Sequence, residues 1–287
     1  MYSHAVPDER DALFDRLERF YDAVPRDAAR AEQFGSLVLF VRESVGGWPF
    51  YARPRLDASD PPSAADVTSV RARQRDLGLP EAFEWVHERS PDLLAVARSA
   101  GLSVLEAPLM VLDPAALPTP AELSDVPVRI LDPAAPDFAA GLAAQRAVAA
   151  IGFSAAGTAR GDAGPAERDA AVVRPAPADL AEEQARAESK SRLTALAEAP
   201  GNGAVGSGRA MRVGEVAELA GIATLPRARR RGVGAAVTAA LARRLLDDGA
   251  ELIFLSAGSE DIARVYLRAG FRRVGTACIA EPAAVLA

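Results

Sequence analysis

The feature that most constrains this chain is a nine-residue junction, Pro226-Arg227-Ala228-Arg229-Arg230-Arg231-Gly232-Val233-Gly234, lying between an apolar run and a helix-forming run. Val216 to Leu225 is apolar apart from Glu218 and reads as a buried strand that Pro226 ends. Ala235 to Leu246 reads as a long helix stopped near Gly249. Strand, glycine-punctuated turn and helix N-terminus in that order make a cradle for an anion. Glycine lets the backbone come close to the ligand, and the unpaired N–H groups of the first helical turn point at it. The flanking arginines add opposite charge.

The spacing narrows the choice of anion. A Walker A loop needs Gly-Lys-Ser/Thr, and this turn has no lysine; a dinucleotide fingerprint needs a third Gly or Ala where Val237 stands. What fits is Arg-x-x-Gly-x-Gly, as Arg229, Gly232 and Gly234. With Pro226 three residues before the arginine, this resembles the pyrophosphate loop of the Gcn5-related N-acetyltransferase (GNAT) family. A second apolar strand, Leu252-Ile253-Phe254-Leu255, follows at the family's usual distance. After it comes a helix ending Tyr266-Leu267-Arg268-Ala269-Gly270-Phe271, the family's other signature.

The resemblance implies an α/β (α+β) fold, a mixed central sheet flanked by helices, with acetyl-CoA in a V-shaped gap between the two parallel strands. It implies that backbone N–H groups of Arg231, Gly232, Val233, Gly234 and Ala235 bind the pyrophosphate beside Arg229 and Arg230. An N–H near Ala223 or Thr224 would polarise the thioester carbonyl. Glu218 lies eleven residues before Arg229, the place of the family's catalytic glutamate in its histone-modifying members. Burial beside an apolar strand would suit it as a base; a strand-end glutamate at the surface or in an ion pair is the other reading. Tyr266 matches the tyrosine that protonates the departing thiolate, or else is a core aromatic of an amphipathic helix. Two positions depart from the pattern: Ser259 stands where many members carry an asparagine that holds the CoA arm, and Arg230 replaces a frequent glycine.

The first half resembles the family more weakly. Asp8–Ala23, Val67–Leu77 and Asp92–Ala100 read as helices. Ser36–Val41 and Pro49–Ala52 read as strands around Gly46-Gly47, and Ala82–Val86 and Ser103–Leu112 as further strands. No glycine loop opens the helix at Val67, so the expectation is a tandem chain: a degenerate copy over 1–120 and a GNAT domain over 125–287, joined through the proline-rich stretch 112–127. In the second half, Val128–Leu131 reads as a strand and Pro136–Ala150 as a helix. Residues 154–177 lack apolar periodicity and read as a mobile loop, and Ala178–Lys190 as a helix. Leu193–Ala199 and Ala204–Gly208 form a hairpin across Pro200-Gly201-Asn202-Gly203.

Composition enters by exclusion. One cysteine, Cys278, allows no intrachain bridge and is expected to be a small buried apolar group; with only His4 and His87 beside it, no metal site is expected. A net charge of −6 opposes a nucleic-acid role for Arg227–Arg231, and no apolar run reaches membrane-spanning length. The N-terminus carries no secretion-signal pattern, which points to the cytosol. The expected protein is an acetyl-CoA-dependent N-acetyltransferase acting on a small-molecule amine, as a monomer or homodimer. The alternative is a catalytically inactive acyl-CoA-binding regulatory or scaffold protein, and the acceptor is not legible.

Overall fold

The computed structural model describes residues 9–43 and 50–283; the Gly46-Gly47 turn and Pro49 lie outside them. The chain divides into two compact units, Met1–Pro108 with Gly275–Ala287, and Leu109–Val274. Where the prolines suggest a division between 120 and 125, this one falls inside a strand and returns the last strand's end to the first unit. Among the described residues no helix is long and apolar enough to cross a membrane.

The first unit contains α1 (Glu9–Arg26), β1 (Ala29–Phe34), β2 (Leu37–Arg42), β3 (Ala52–Pro54), α2 (Ala64–Asp76), β4 (Phe83–Val86), α3 (Asp92–Ser99) and the start of β5 (Leu102–Leu112). β1 and β2 form an antiparallel hairpin, β3 pairs antiparallel to β2, and β4 lies parallel to β3 after the α2 crossover. Sequence patterning misses β1, because Ala-Arg-Ala-Glu-Gln-Phe buries no residue fully and sits at the sheet edge. The core gathers Leu37, Leu39, Val67, Trp85 and Leu93 with Cys278 and Ala280. Cys278 is fully buried, as expected of a small apolar group, and burial pushes its thiol up to about 12. Arg53, also fully buried, pairs with Glu18 of α1, and Glu18 accepts the Val86 N–H at 2.8 Å.

The second unit adds α4 (Pro120–Leu123), β6 (Val128–Ile130), α5 (Phe138–Ser154), α6 (Pro165–Ala170), α7 (Pro177–Glu188), β7 (Arg192–Ala199), β8 (Gly203–Val213), β9 (Val216–Thr224), α8 (Val233–Asp247), β10 (Leu252–Ser256), α9 (Glu260–Leu267) and the start of β11 (Phe271–Pro282). Its strand order is β5-β10-β9-β8-β7-β6, with β9 and β10 parallel and the other pairs antiparallel. Helices cover both faces. Ser207 donates to the Gln145 carbonyl of α5, whereas a side chain at the neighbouring Gly206 or Gly208 would strike Val233 or Val237 of α8. The segment read as a mobile loop is a correction: α6 lies within it, opened by Pro165 and by Glu167 accepting the Gly164 N–H at 2.7 Å. No apolar stripe holds α6 in place. The buried Arg168 does, donating to the carbonyls of Asn202 and Ala204.

The two units repeat one series. β1-β2-β3-α2-β4-α3-β5 and β7-β8-β9-α8-β10-α9-β11 follow the same order, with antiparallel, antiparallel and then parallel pairing. Each series also surrenders its last strand end. Leu109–Val111 of β5 pair with β10 in the second unit, and Ala277–Ala280 of β11 pair with β4 in the first.

Candidate active site

The site forms where β9 and β10 part. Their parallel pairing joins Leu252 to Val216, Ile253 to Ala217 and Phe254 to Glu218, and goes no further among the described residues. A bulge then re-aims β9: Gly221 and Ile222 together oppose Gly208 on β8, and Gly221 adopts φ +63°. Past the bulge, Ala223 turns toward Gly152 of α5 and Ile222 toward α8, as the space a side chain would find at Gly152 and Gly208 shows.

Pro226 opens a short 3-10 turn to Ala228, after which Arg230 and Gly232 both take positive φ, +64° and +75°. Gly232 is required twice over. Its φ suits glycine, and a Cβ there would lie 1.8 Å from the Leu123 carbonyl oxygen of α4. α8 starts at Val233 without a side-chain cap, and its first internal bond runs from the Ala236 N–H to the Gly232 carbonyl at 2.9 Å. The N–H groups of Val233, Gly234 and Ala235 therefore have no acceptor among the described residues, and all three residues line a cavity of about 720 Å³. That volume suits a sizeable ligand, within the roughly 300–1,000 Å³ of small-molecule sites.

Ala223, Thr224, Arg229, Arg230 and Gly232 line the same cavity, and so does Tyr266. Tyr266 is 8% exposed and packs against Phe271 at 6.3 Å between ring centres, and its hydroxyl makes no hydrogen bond among the described residues. Burial pushes its hydroxyl up to about 12, so it holds its proton at neutral pH. Gly270, the glycine of the Tyr-x-x-x-Gly-Phe ending, is needed for packing: a Cβ would lie 2.7 Å from the Ala116 carbonyl oxygen.

Three expected residues lie elsewhere. Arg231 pairs with Asp125 at 2.9 Å. Ser259 caps α9, its hydroxyl accepting the Ile262 N–H at 3.3 Å. Glu218 stands half-buried where the strand pairing ends, off the cavity wall and engaged with a partner of its own. Arg229 is on the wall, but its guanidinium does a structural job. It donates to the carbonyls of Gly152 and Ala155 (both 2.7 Å), Ala159 (3.1 Å) and Thr224 (3.4 Å), closing the C-terminus of α5. Burial holds this guanidinium below the usual arginine range. Sequence reading did not single out Gly152 and Phe153 at the end of α5, nor Arg264 and Arg268, which were legible only as a spacing of four around Tyr266.

The matching helix start in the first unit is built differently. At the start of α2, Ser63 accepts the Asp66 N–H at 3.2 Å and the Asp66 carboxylate accepts the Ser63 N–H at 2.9 Å and the Ser36 N–H at 3.4 Å. This capping box ties down the start of α2, whereas α8 begins without a side-chain cap.

Residues 165–271 match the model of the acetyltransferase (GNAT) family. They form a GNAT-family domain. Among solved structures, a GCN5-related N-acetyltransferase from Kribbella flavida superposes with a TM-score of 0.65 at 22% identity, covering 96% of this chain and 97% of that one. A GCN5-related N-acetyltransferase from Sphaerobacter thermophilus gives 0.55 at 14% identity over 96% and 93%. A tandem GNAT protein from the clavulanic acid biosynthesis pathway gives 0.50 at 14% identity over 87% and 79%. These likenesses establish the GNAT fold across nearly the whole chain. No curated protein matches the sequence.

Proposed function

We propose that the second unit is an acetyl-CoA-dependent N-acetyltransferase that moves an acyl group to a primary amine of a small molecule by direct attack. One observation carries this reading: the residues of the uncapped α8 start and Tyr266 line one cavity. The amides of Gly232 to Ala235 hold the diphosphate of the coenzyme, and an N–H at Ala223 or Thr224 faces the thioester carbonyl and stabilises the oxyanion that forms on attack. Glu218, at the end of the paired strands, accepts the amine proton through water. As the amine nitrogen bonds to the carbonyl carbon and the C–S bond breaks, Tyr266 gives its proton to the departing sulfur. The amine proton, returned through solvent, restores it.

The test is thiol release from acetyl-CoA with a panel of primary amines. Amine-dependent release above solvent hydrolysis is expected. Tight binding without turnover across chemically broad amines would instead favour a catalytically inactive coenzyme-binding protein.

A further inference from the structure

Four arginines line the cavity, and two of them are uncommitted. Arg229 is held by four carbonyls and Arg264 pairs with Asp261. The side chains of Arg230 and Arg268 make no ion pair or hydrogen bond among the described residues, although the arginines on either side of Arg230 are both engaged. In a chain of net charge −6, the lining holds four arginines and one acidic residue, Asp261. Backbone geometry adds a second sign. Arg230 and Lys190 are the two described non-glycine residues with positive φ, and Arg230 holds φ +64° two residues before Gly232. An arginine kept in a conformation that glycine adopts more easily, with its side chain unpaired at a cavity, indicates that the side chain is retained for what enters the cavity.

The helix amides already account for one diphosphate, so the free guanidinium groups have charge to spare for a second anion. We propose that Arg230 and Arg268 form a phosphomonoester subsite, which makes the cavity selective for coenzyme A carrying its ribose 3′-phosphate over dephospho-coenzyme A. A dianionic phosphomonoester offers three acceptor oxygens, and planar guanidinium groups match them in forked pairs. This rests on the coenzyme reading of the α8 amides and adds to it which end of the coenzyme the arginines recognise.

Calorimetry on the full chain with coenzyme A and with dephospho-coenzyme A separates the two claims. The wild-type protein is expected to bind coenzyme A at least ~10-fold more tightly, with the gap narrowing as salt rises. In Arg230→Gly with Arg268→Gln that gap should shrink below ~3-fold, through loss of coenzyme A affinity alone. Arg230→Gly by itself should melt no lower than wild type, because glycine relieves the positive φ. Equal binding of the two ligands by the wild type overturns the subsite and leaves the coenzyme reading standing. A gap that survives the double variant overturns the assignment to these two arginines. Binding of neither ligand overturns the coenzyme reading together with the subsite.

Discussion

Gly232 and Gly234 belong to one motif but do different physical work, and alanine should separate them. At Gly232 the backbone has φ +75° and a Cβ would sit 1.8 Å from the Leu123 carbonyl oxygen and 2.8 Å from its carbon. A non-glycine residue in this conformation costs about 1–2 kcal/mol. Displacing α4 to relieve the overlap adds about 1–3 kcal/mol, the usual scale of overpacking. Gly232→Ala should therefore lose roughly 3 kcal/mol, which lowers Tm by about 6–12 °C in a chain of this size. At Gly234, in the first turn of α8, the nearest atom to a new methyl is the Thr224 hydroxyl oxygen at 3.5 Å, an ordinary contact. There the better helix propensity of alanine contributes about 0.5–1 kcal/mol, so Tm should stay level or rise slightly. Differential scanning calorimetry of the two variants beside wild type reads both numbers. If Gly232→Ala melts with wild type while Gly234→Ala falls, the packing account of this loop is wrong.

Three further predictions follow from the site and its frame. Tyr266→Phe should lower kcat by ~10² (about 2.7 kcal/mol in the barrier) with coenzyme affinity nearly unchanged. Because burial pushes the Tyr266 hydroxyl up to about 12, wild-type kcat should not decline between about pH 9 and 10.5 through loss of this proton; unchanged turnover in the variant removes the role. Arg229→Met leaves four carbonyls without their donor and should cost about 3 kcal/mol, on the scale of charged hydrogen bonds. It should also open residues 155–164 to limited proteolysis; Arg229→Lys should not rescue, since an ammonium cannot fork to several carbonyls. Glu84 of β4 has its carboxyl pushed up to about 7 by burial, with Arg53 opposing and Glu281 adding to the rise. A raised carboxyl contributes stability that is full below its unfolded value of about 4.5 and lost as pH climbs through 7. Glu84→Gln should thus match wild type in Tm near pH 4.5 and exceed it at pH 8; an equal difference at both pH values would refute the assignment.

What could be read in advance was local. The strand from Val216, the turn through Gly232 and the helix carrying Tyr266 each have a backbone cause within a few residues, and so did the residues brought to one cavity. What stayed hidden depends on distant partners. α6 is held by Arg168 reaching the carbonyls beyond β7, and its sequence has no periodicity to betray that. The same holds for Arg229: its place in the motif suggested charge for an anion, while its hydrogen bonds go to α5 and the segment after it. The reciprocal placing of the β5 and β11 ends is a matter of topology, invisible to any window of sequence. The difference between the two units was half legible. The missing glycines before Val67 showed that a glycine loop was lacking, but not that Ser63 and Asp66 form a capping box there.

Titration of acetyl-CoA into the purified full chain by calorimetry bears most directly on the central claim, because the two helix starts differ in whether a side chain caps them. The uncapped N-terminus of α8 and the capping box at the start of α2 predict saturable uptake of one coenzyme per chain, competed by coenzyme A and weakened by salt. No heat at several hundred micromolar ligand, or two equivalent sites per chain, would contradict it.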